Sequence, residues 1–135
     1  MYFIATNDVE LTSLELNRPA DFMAKRVKKV GMPRLLDLYS KYDVEGTFFY
    51  TADIVELEPE LVDMAKAQGH EIACHGYKHE PEYFFNVLPL KEQIEYLQMA
   101  KETIEKQAGG KIVSFRAPEL LLNEDTMGWK GRGSC

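Results

Sequence analysis

Short apolar stretches alternate with longer segments of helical periodicity along this chain, and this alternation constrains its fold more than any other feature. The short stretches are typical of buried strands and cover residues 2–6, 46–51, 71–74 and 112–115. The segments between them repeat apolar residues at helical spacing and cover residues 20–30, 34–42, 59–68 and 89–108. Alternation of strand and helix implies parallel strands joined by right-handed helical crossovers. The sequence therefore predicts an α/β fold with four parallel strands.

Glycine and proline residues mark the expected ends of these helices. Gly-Met-Pro at residues 31–33 should separate the first two helices, because proline suits the first turn of a new helix. Gly69 should end the helix over residues 59–68, since glycine commonly follows the last helical turn. The segment between the first strand and Pro19 is polar, and we expect it to form turns.

Polar side chains follow the C-terminal end of each predicted strand. In chain order these are Asp8 and Glu10, Thr51, His75 and His79, and Arg116. The C-terminal ends of parallel strands lie on one rim, which is where barrel enzymes keep their reactive groups. We therefore expect these side chains to meet at a single site.

His75 and His79 give the strongest indication of what that site binds. A single turn of chain brings side chains at this spacing together, and neutral imidazole is the commonest protein ligand for zinc and related metals. A catalytic zinc also needs a third protein ligand, usually a carboxylate or another histidine. The pattern predicts a metal site, and a surface loop with two chance histidines is the alternative.

Length and charge exclude several other classes of protein. The chain has 135 residues and a net charge of −6, which suits one modest domain and argues against a nucleic-acid partner. Its longest basic stretch, residues 25–29, is better explained as the solvent-facing side of a helix. Two cysteines far apart in sequence do not indicate a disulfide framework. There is neither a signal-peptide pattern nor a stretch long enough to span a bilayer, so we expect a cytoplasmic protein.

Three short motifs resemble those of a known family. They are Thr-Asn-Asp-Val-Glu at residues 6–10, His-Gly-Tyr-Lys-His at 75–79 and Phe-Arg-Ala-Pro-Glu at 115–119. In order and spacing they resemble the polysaccharide deacetylases of the NodB-homology type, also called carbohydrate esterase family four. Framework stretches at residues 46–49, 59–62 and 69–72 resemble the same family. The resemblance covers about residues 1 to 122.

The resemblance implies a distorted (β/α) barrel with a divalent ion that assists hydrolysis of N- or O-acetyl groups on sugars, a role in carbohydrate metabolism. It makes Asp8 the catalytic base, His75 and His79 metal ligands, and Arg116 the cation that holds the base ionised. The family usually has two adjacent aspartates, and here Val9 occupies the second position. Variants with the carboxylates one residue apart make Glu10 the third ligand. The reverse assignment of Asp8 and Glu10 stays open, as does a merely solvated Glu10.

The same resemblance stops before the family's last strands and its two further motifs. We therefore expect a partial deacetylase domain over residues 1–126, an aberrant or truncated tail over residues 127–135 and a barrel that is not closed. Exposed strand edges would permit self-association, and turnover would be weak or absent. Zinc is the expected ion, with cobalt, iron and nickel as alternatives. An amidase acting on a small amide or cyclic imide, or a non-catalytic fragment, are the alternative functions.

Overall fold

The computed structural model of the protein describes residues 4–13, 16 and 18–128. The strands are β1 (Ala5–Val9), β2 (Thr12–Ser13), β3 (Arg18–Pro19), β4 (Gly46–Tyr50) and β5 (Glu71–Cys74). The α-helices are α1 (Phe22–Arg26), α2 (Met32–Lys41), α3 (Ala52–Leu57), α4 (Glu60–Ala67), α5 (Leu90–Ala108) and α6 (Glu124–Gly128). The domain boundary predicted after residue 126 falls within α6, and residues 129–135 of the predicted tail lie outside the described residues.

A parallel three-stranded sheet in the order β1-β4-β5 forms the centre of the structure, as predicted. Its central strand, β4, is uncharged and aromatic, and Phe48 and Tyr50 on it are completely buried. Such a strand suits a parallel sheet covered by helices on both faces. Leu61 of α4 and Ile104 of α5 are also fully buried in the core that packs against the sheet.

β1 extends further along the chain than the sequence pattern indicates. The predicted strand covers residues 2–6, of which residues 2 and 3 lie outside the described part. β4 continues to pair with β1 as far as Val9, which lies opposite Tyr50. Asp8 therefore lies within the strand and Glu10 directly follows it, and side chains two residues apart on a strand point to the same side.

The fourth predicted strand, over residues 112–115, is reduced to a single parallel bridge between Phe115 and Cys74 of β5. Arg116 N–H donates to the Cys74 carbonyl at 2.9 Å, which places the segment beside β5 as expected. However, the Ile112 N–H donates to the Glu105 side chain of α5 at 2.8 Å. The N–H of Ile112 is thus bonded to α5, and no closed sheet forms within the described residues.

The predicted break between the first two helices does not occur. A π-helical turn (Val27–Gly31) joins α1 to α2, and the Met32 N–H donates to the carbonyl of Val27, five residues earlier. Pro33 has no N–H to donate, and the wider turn accommodates it without ending the helix. The polar segment predicted to form turns contains the antiparallel pair β2–β3, whose strands are too short to show an alternating pattern.

The bounds of α4 and α5 agree within one residue with the helices predicted over residues 59–68 and 89–108. Gly109 follows α5 with a φ of 65°, the left-handed conformation that glycine adopts without strain.

In the part of the chain that the structure describes, no helix combines the length and the apolar character needed to cross a membrane. The cytoplasmic location stays a prediction.

Candidate metal centre

The ends of β1 and β5 deliver the acidic and imidazole side chains to one cleft. Glu10 directly follows β1, His75 directly follows β5, and His79 lies in the loop beyond it. The cleft has a volume of about 300 Å³ and is lined by Asp8, Glu10, His75, His79, Arg116, Ala117, Glu119 and Leu120. The structure thus brings together all five residues to which the sequence assigns a role. Thr51 does not line the cleft but lies buried behind it.

Three of these side chains have the spacing of ligands around one ion. Glu10 Oε2 lies 3.4 Å from His75 Nε2 and 3.2 Å from His79 Nε2, and the three ligand atoms all lie within 4.8 Å of one another. Tetrahedral ligands bound at zinc distances are about 3.4 Å apart. The two distances from the Glu10 oxygen to the imidazole nitrogens are therefore close to the distance between two ligand atoms bound to one zinc ion.

A backbone hydrogen bond fixes the tautomer of His75. Its Nδ1 lies 2.9 Å from the carbonyl oxygen of Arg116, so Nδ1 carries the hydrogen and donates it. In the neutral ring, the lone pair of Nε2 then points towards Glu10, on a side chain that is only 2% exposed. A ligating histidine is commonly oriented by such a bond from its other ring nitrogen. The Nδ1 of His79 lies 3.4 Å from the Thr12 hydroxyl, which can donate or accept and so does not fix the tautomer of that ring.

Glu10 carries the clearest sign that a cation belongs here. Its Oε2 atom is buried and has no hydrogen-bond partner, although it faces two imidazole nitrogens. Burial alone raises the pKa of the Glu10 carboxyl, but His75, the charge of a protonated His79 and the Thr12 hydroxyl together lower that pKa below its usual value. A buried carboxylate oxygen that faces two imidazole nitrogens is stabilised by positive charge, carried either by protons on the imidazoles or by a metal ion between them. Two imidazoles and one carboxylate are a donor set that suits a divalent transition metal.

Asp8 and Arg116 form the other side of the cleft. Arg116 Nη1 donates to Asp8 Oδ1 at 2.6 Å, and the guanidinium lies over the Phe49 ring at 4.2 Å. The second carboxylate oxygen of Asp8 is 3.9 Å from His75 Nε2. Asp8 is thus oriented by an arginine on one oxygen while the other faces the candidate ligands.

Glu119 is a residue of the cleft to which sequence reasoning assigns no role. Its Oε1 lies 3.6 Å from His79 Nε2, on a side chain that is more than half exposed. It belongs to a short 3₁₀ turn, Pro118–Leu120, in which Glu119 and Leu120 have φ angles of 54° and 57°. The third motif includes Glu119, but no polarity pattern indicates that two consecutive left-handed residues direct its side chain to the histidines.

Comparison with known proteins agrees with the fold and the motifs. The profile of the polysaccharide deacetylase family matches residues 25–130. A peptidoglycan deacetylase from Helicobacter pylori is 32% identical over 90 residues, which cover 67% of this chain and 30% of that protein. A crystal structure of a candidate polysaccharide deacetylase from Mycobacterium smegmatis superposes with a TM-score of 0.75 at 31% identity, covering 92% of this chain and 45% of the other.

A pseudoenzyme of carbohydrate esterase family four from Bacillus anthracis shares the fold at 21% identity, with a TM-score of 0.72 over 93% of this chain and 38% of that one. This chain spans less than half the length of each of these three proteins. The profile match leaves out the first motif, so Asp8 and Glu10 are assigned from the sequence and the geometry alone. Taken together, the match over residues 25–130 and the relatives show that the chain belongs to the polysaccharide deacetylase family.

Proposed function

We propose that the chain carries the metal centre of a hydrolase that removes acetyl groups from N- or O-acetylated sugars. The observation that supports this proposal is the close approach of the His75 and His79 rings to a buried oxygen of Glu10 that has no hydrogen-bond partner. The Helicobacter pylori relative is a peptidoglycan deacetylase, and its reaction belongs to the same class.

Five of the side chains that line the cleft have a role in such a reaction. When bound, the divalent ion supplies a Lewis acid for the acetyl carbonyl and lowers the pKa of water. Glu10, His75 and His79 hold it, and the Arg116 carbonyl keeps the His75 ring in its ligating orientation. Asp8 accepts a proton from the attacking water, and Arg116 orients the Asp8 carboxylate through its other oxygen.

We propose zinc as the ion, because two imidazoles, one carboxylate and an open side match the ligand set of catalytic zinc sites. Cobalt, iron and nickel accept similar ligands, so the four ions are compared in one titration.

We also propose that the chain self-associates through the outer edge of β1, which pairs only with β4 within the described residues.

Metal binding is tested first, separately from turnover. The purified chain is titrated with each of the four ions in competition with a chromophoric chelator, alongside His75→Ala and Glu10→Gln. We expect one zinc per chain, and at a free concentration about 100 times Kd the ion should add about 2.7 kcal/mol to the free energy of unfolding. Glu92→Gln, which neutralises an exposed carboxylate on α5, is the matched control and should bind zinc like the parent.

Two results would contradict the metal proposal: no zinc bound by the parent chain, or a His75→Ala variant that binds as tightly as the parent. Activity is then measured as acetate release from N-acetylated and O-acetylated oligosaccharides, next to small amides and cyclic imides. Hydrolysis of the amides and imides without any acetate release from sugars would replace the deacetylase proposal with an amidase. Zinc binding without hydrolysis of any substrate would indicate a non-catalytic fragment.

A further inference from the structure

We propose that Thr51 is a positioning residue for the candidate metal centre. Through its hydroxyl it fixes the corner between β4 and α3, and this corner sets the distance between Glu10 and the two histidines. The inference rests on the proposed function, because it assumes that these three side chains hold an ion. Thr51 directly follows β4, is completely buried and does not line the cleft.

The backbone of this corner is bonded to both segments that carry candidate ligands. Thr51 N–H donates at 3.2 Å to the carbonyl of Val9, the residue between Asp8 and Glu10. The next two N–H groups donate to the loop between His75 and His79: that of Ala52 to Gly76 at 3.0 Å and that of Asp53 to Tyr77 at 3.1 Å. Three consecutive donors therefore hold the acidic segment and the histidine loop in one register.

The side chains at this corner do not compete for these backbone donors. The first N–H groups of a helix have no partner within the helix, and a threonine before the first turn usually accepts from one of them. Here Thr51 makes no such bond. Its hydroxyl donates to Asp53 Oδ1 at 2.5 Å, and the same oxygen accepts from Ile54 N–H at 2.8 Å. The N–H of Asp53, which a capping threonine could take, is thus left for the histidine loop, as is the N–H of Ala52 at the first helical position.

The histidine loop has little freedom to compensate if the corner moves. Gly76 has a φ of 83°, and a β-carbon there would lie 3.3 Å from the buried ring of Pro118. The His75 N–H donates to Tyr50 at 2.7 Å, directly before the corner. A shift of the corner should therefore move the imidazole rings relative to Glu10, and a small displacement of ligands costs metal affinity.

Thr51→Val tests this proposal, because it removes the hydroxyl but keeps the shape of the side chain. We expect the zinc affinity to fall about 10-fold, the lower end of the effect of losing a direct partner of a ligand, because Thr51 acts through the backbone. The visible absorption spectrum of the cobalt-loaded chain should change as well, because it reports the arrangement of the ligands. Thr51→Ser retains the hydroxyl and should restore both the affinity and the spectrum.

A matched control lies on the same strand. Thr47 donates to Glu71 at 2.6 Å, on the exposed part of β4 and away from the cleft. Thr47→Val also removes a threonine hydroxyl bond, and it should leave zinc affinity and the cobalt spectrum as in the parent. Thermal unfolding of the metal-free variants shows whether any loss of affinity merely follows a loss of stability.

Asp53→Ala interrupts the same bond from its other partner and carries the test if Thr51→Val does not fold. The two single variants should lose affinity in the same direction, and the double variant should lose less than their sum, because they share one interaction. Parent-like zinc affinity and an unchanged cobalt spectrum in a folded Thr51→Val or Asp53→Ala chain would overturn the proposal. Failure of the parent itself to bind zinc would instead refute the proposed function.

Discussion

Leu120 combines a strained backbone with an exposed side chain. Its φ is 57° and its side chain is 73% exposed. The left-handed conformation costs a residue with a β-carbon about 1–2 kcal/mol, and glycine avoids that cost but loses about 0.5–1 kcal/mol of backbone entropy. Leu120→Gly should therefore raise the free energy of unfolding by about 0.5–1 kcal/mol, as measured by urea denaturation.

Leu121 provides the control for this prediction. Its φ is −84°, so glycine there relieves no strain and only adds disorder to the unfolded chain. Leu121→Gly should lower the free energy of unfolding. If both substitutions lowered it to the same extent, the left-handed conformation at Leu120 would not carry the strain assigned to it.

His70 gives the stability of the chain a dependence on pH. Its Nδ1 accepts from the Gly46 N–H at 3.2 Å, and its buried Nε2 has no hydrogen-bond partner. Burial lowers the pKa of His70, an effect that Glu45 only partly offsets. Below the unfolded pKa of about 6.5, the unfolded chain binds a proton that the folded chain resists. This contribution to stability is therefore present above pH 6.5 and is lost as the pH falls.

The measurement is the free energy of unfolding of metal-free chain between pH 7.5 and about 5. His70→Gln removes the titrating group, and the stability of the variant should fall less steeply with decreasing pH than that of the parent. Every other ionisable group is common to both chains, so its contribution cancels in the comparison. Equal slopes for parent and variant would show that His70 is protonated as readily in the folded chain as in the unfolded one.

At the residue scale, strand ends made the candidate site predictable, whereas Glu119 could not be predicted. Most of the candidate site lies at or just beyond the ends of the parallel strands or of the Phe115 bridge, namely Asp8, Glu10, His75 and Arg116. The order of strands and polar residues along the chain was enough to place these side chains together. Glu119 lies 3.6 Å from His79 in a turn where two residues without glycine's freedom adopt positive φ. No pattern of polarity predicts this backbone conformation at residues that carry a β-carbon.

Gln93 links α5 to the two segments on either side of it. It is buried, and its Nε2 donates to the carbonyls of Phe85 at 3.1 Å and Leu88 at 2.8 Å. Its Oε1 accepts from the hydroxyl of Thr126 in α6 at 2.8 Å. Gln93→Leu removes the bond to the Phe85 carbonyl, whereas the Leu88 carbonyl and the Thr126 hydroxyl keep hydrogen bonds to Asn123. A buried polar group left unsatisfied costs about 1–3 kcal/mol.

We therefore expect Gln93→Leu to lower the free energy of unfolding by about 1–3 kcal/mol in urea denaturation. Gln98→Leu, on the exposed side of the same helix, is the matched control and should change it by less than about 0.5 kcal/mol. A small effect at Gln93 would show that water replaces its hydrogen bonds and that α5 does not need them to hold the Phe85 segment.

Elements with a strong apolar pattern were predictable, and elements defined by competition for hydrogen bonds were not. β4 and α5 follow directly from an uncharged aromatic run and from a long helical repeat ending at Gly109. The segment over residues 112–115 has an equally strand-like sequence. Its N–H at Ile112 nevertheless bonds to Glu105 of α5, a contact between elements that sequence cannot weigh against pairing with β5.

For the molecule as a whole, the outer edge of β1 has the largest consequence for behaviour in solution. Within the described residues β1 pairs only with β4, and the adjacent Ile4 is 82% exposed. An unpaired strand edge with an apolar flank is a template for pairing with another chain, and natural proteins commonly protect such edges with lysine. We expect the apparent mass in sedimentation velocity to rise above 15.5 kDa as the concentration increases.

Ile4→Lys should suppress this association, because a charge beside the edge must lose its hydration when a second chain pairs there. Val113→Lys is the matched control: Val113 is also an exposed apolar residue, but it lies in the segment beside β5, away from the β1 edge. If association runs through β1, only Ile4→Lys should keep the chain monomeric at concentrations where the parent associates. Equal suppression by both variants would assign the association to general surface hydrophobicity, and a parent that stays monomeric throughout would show that the β1 edge is protected.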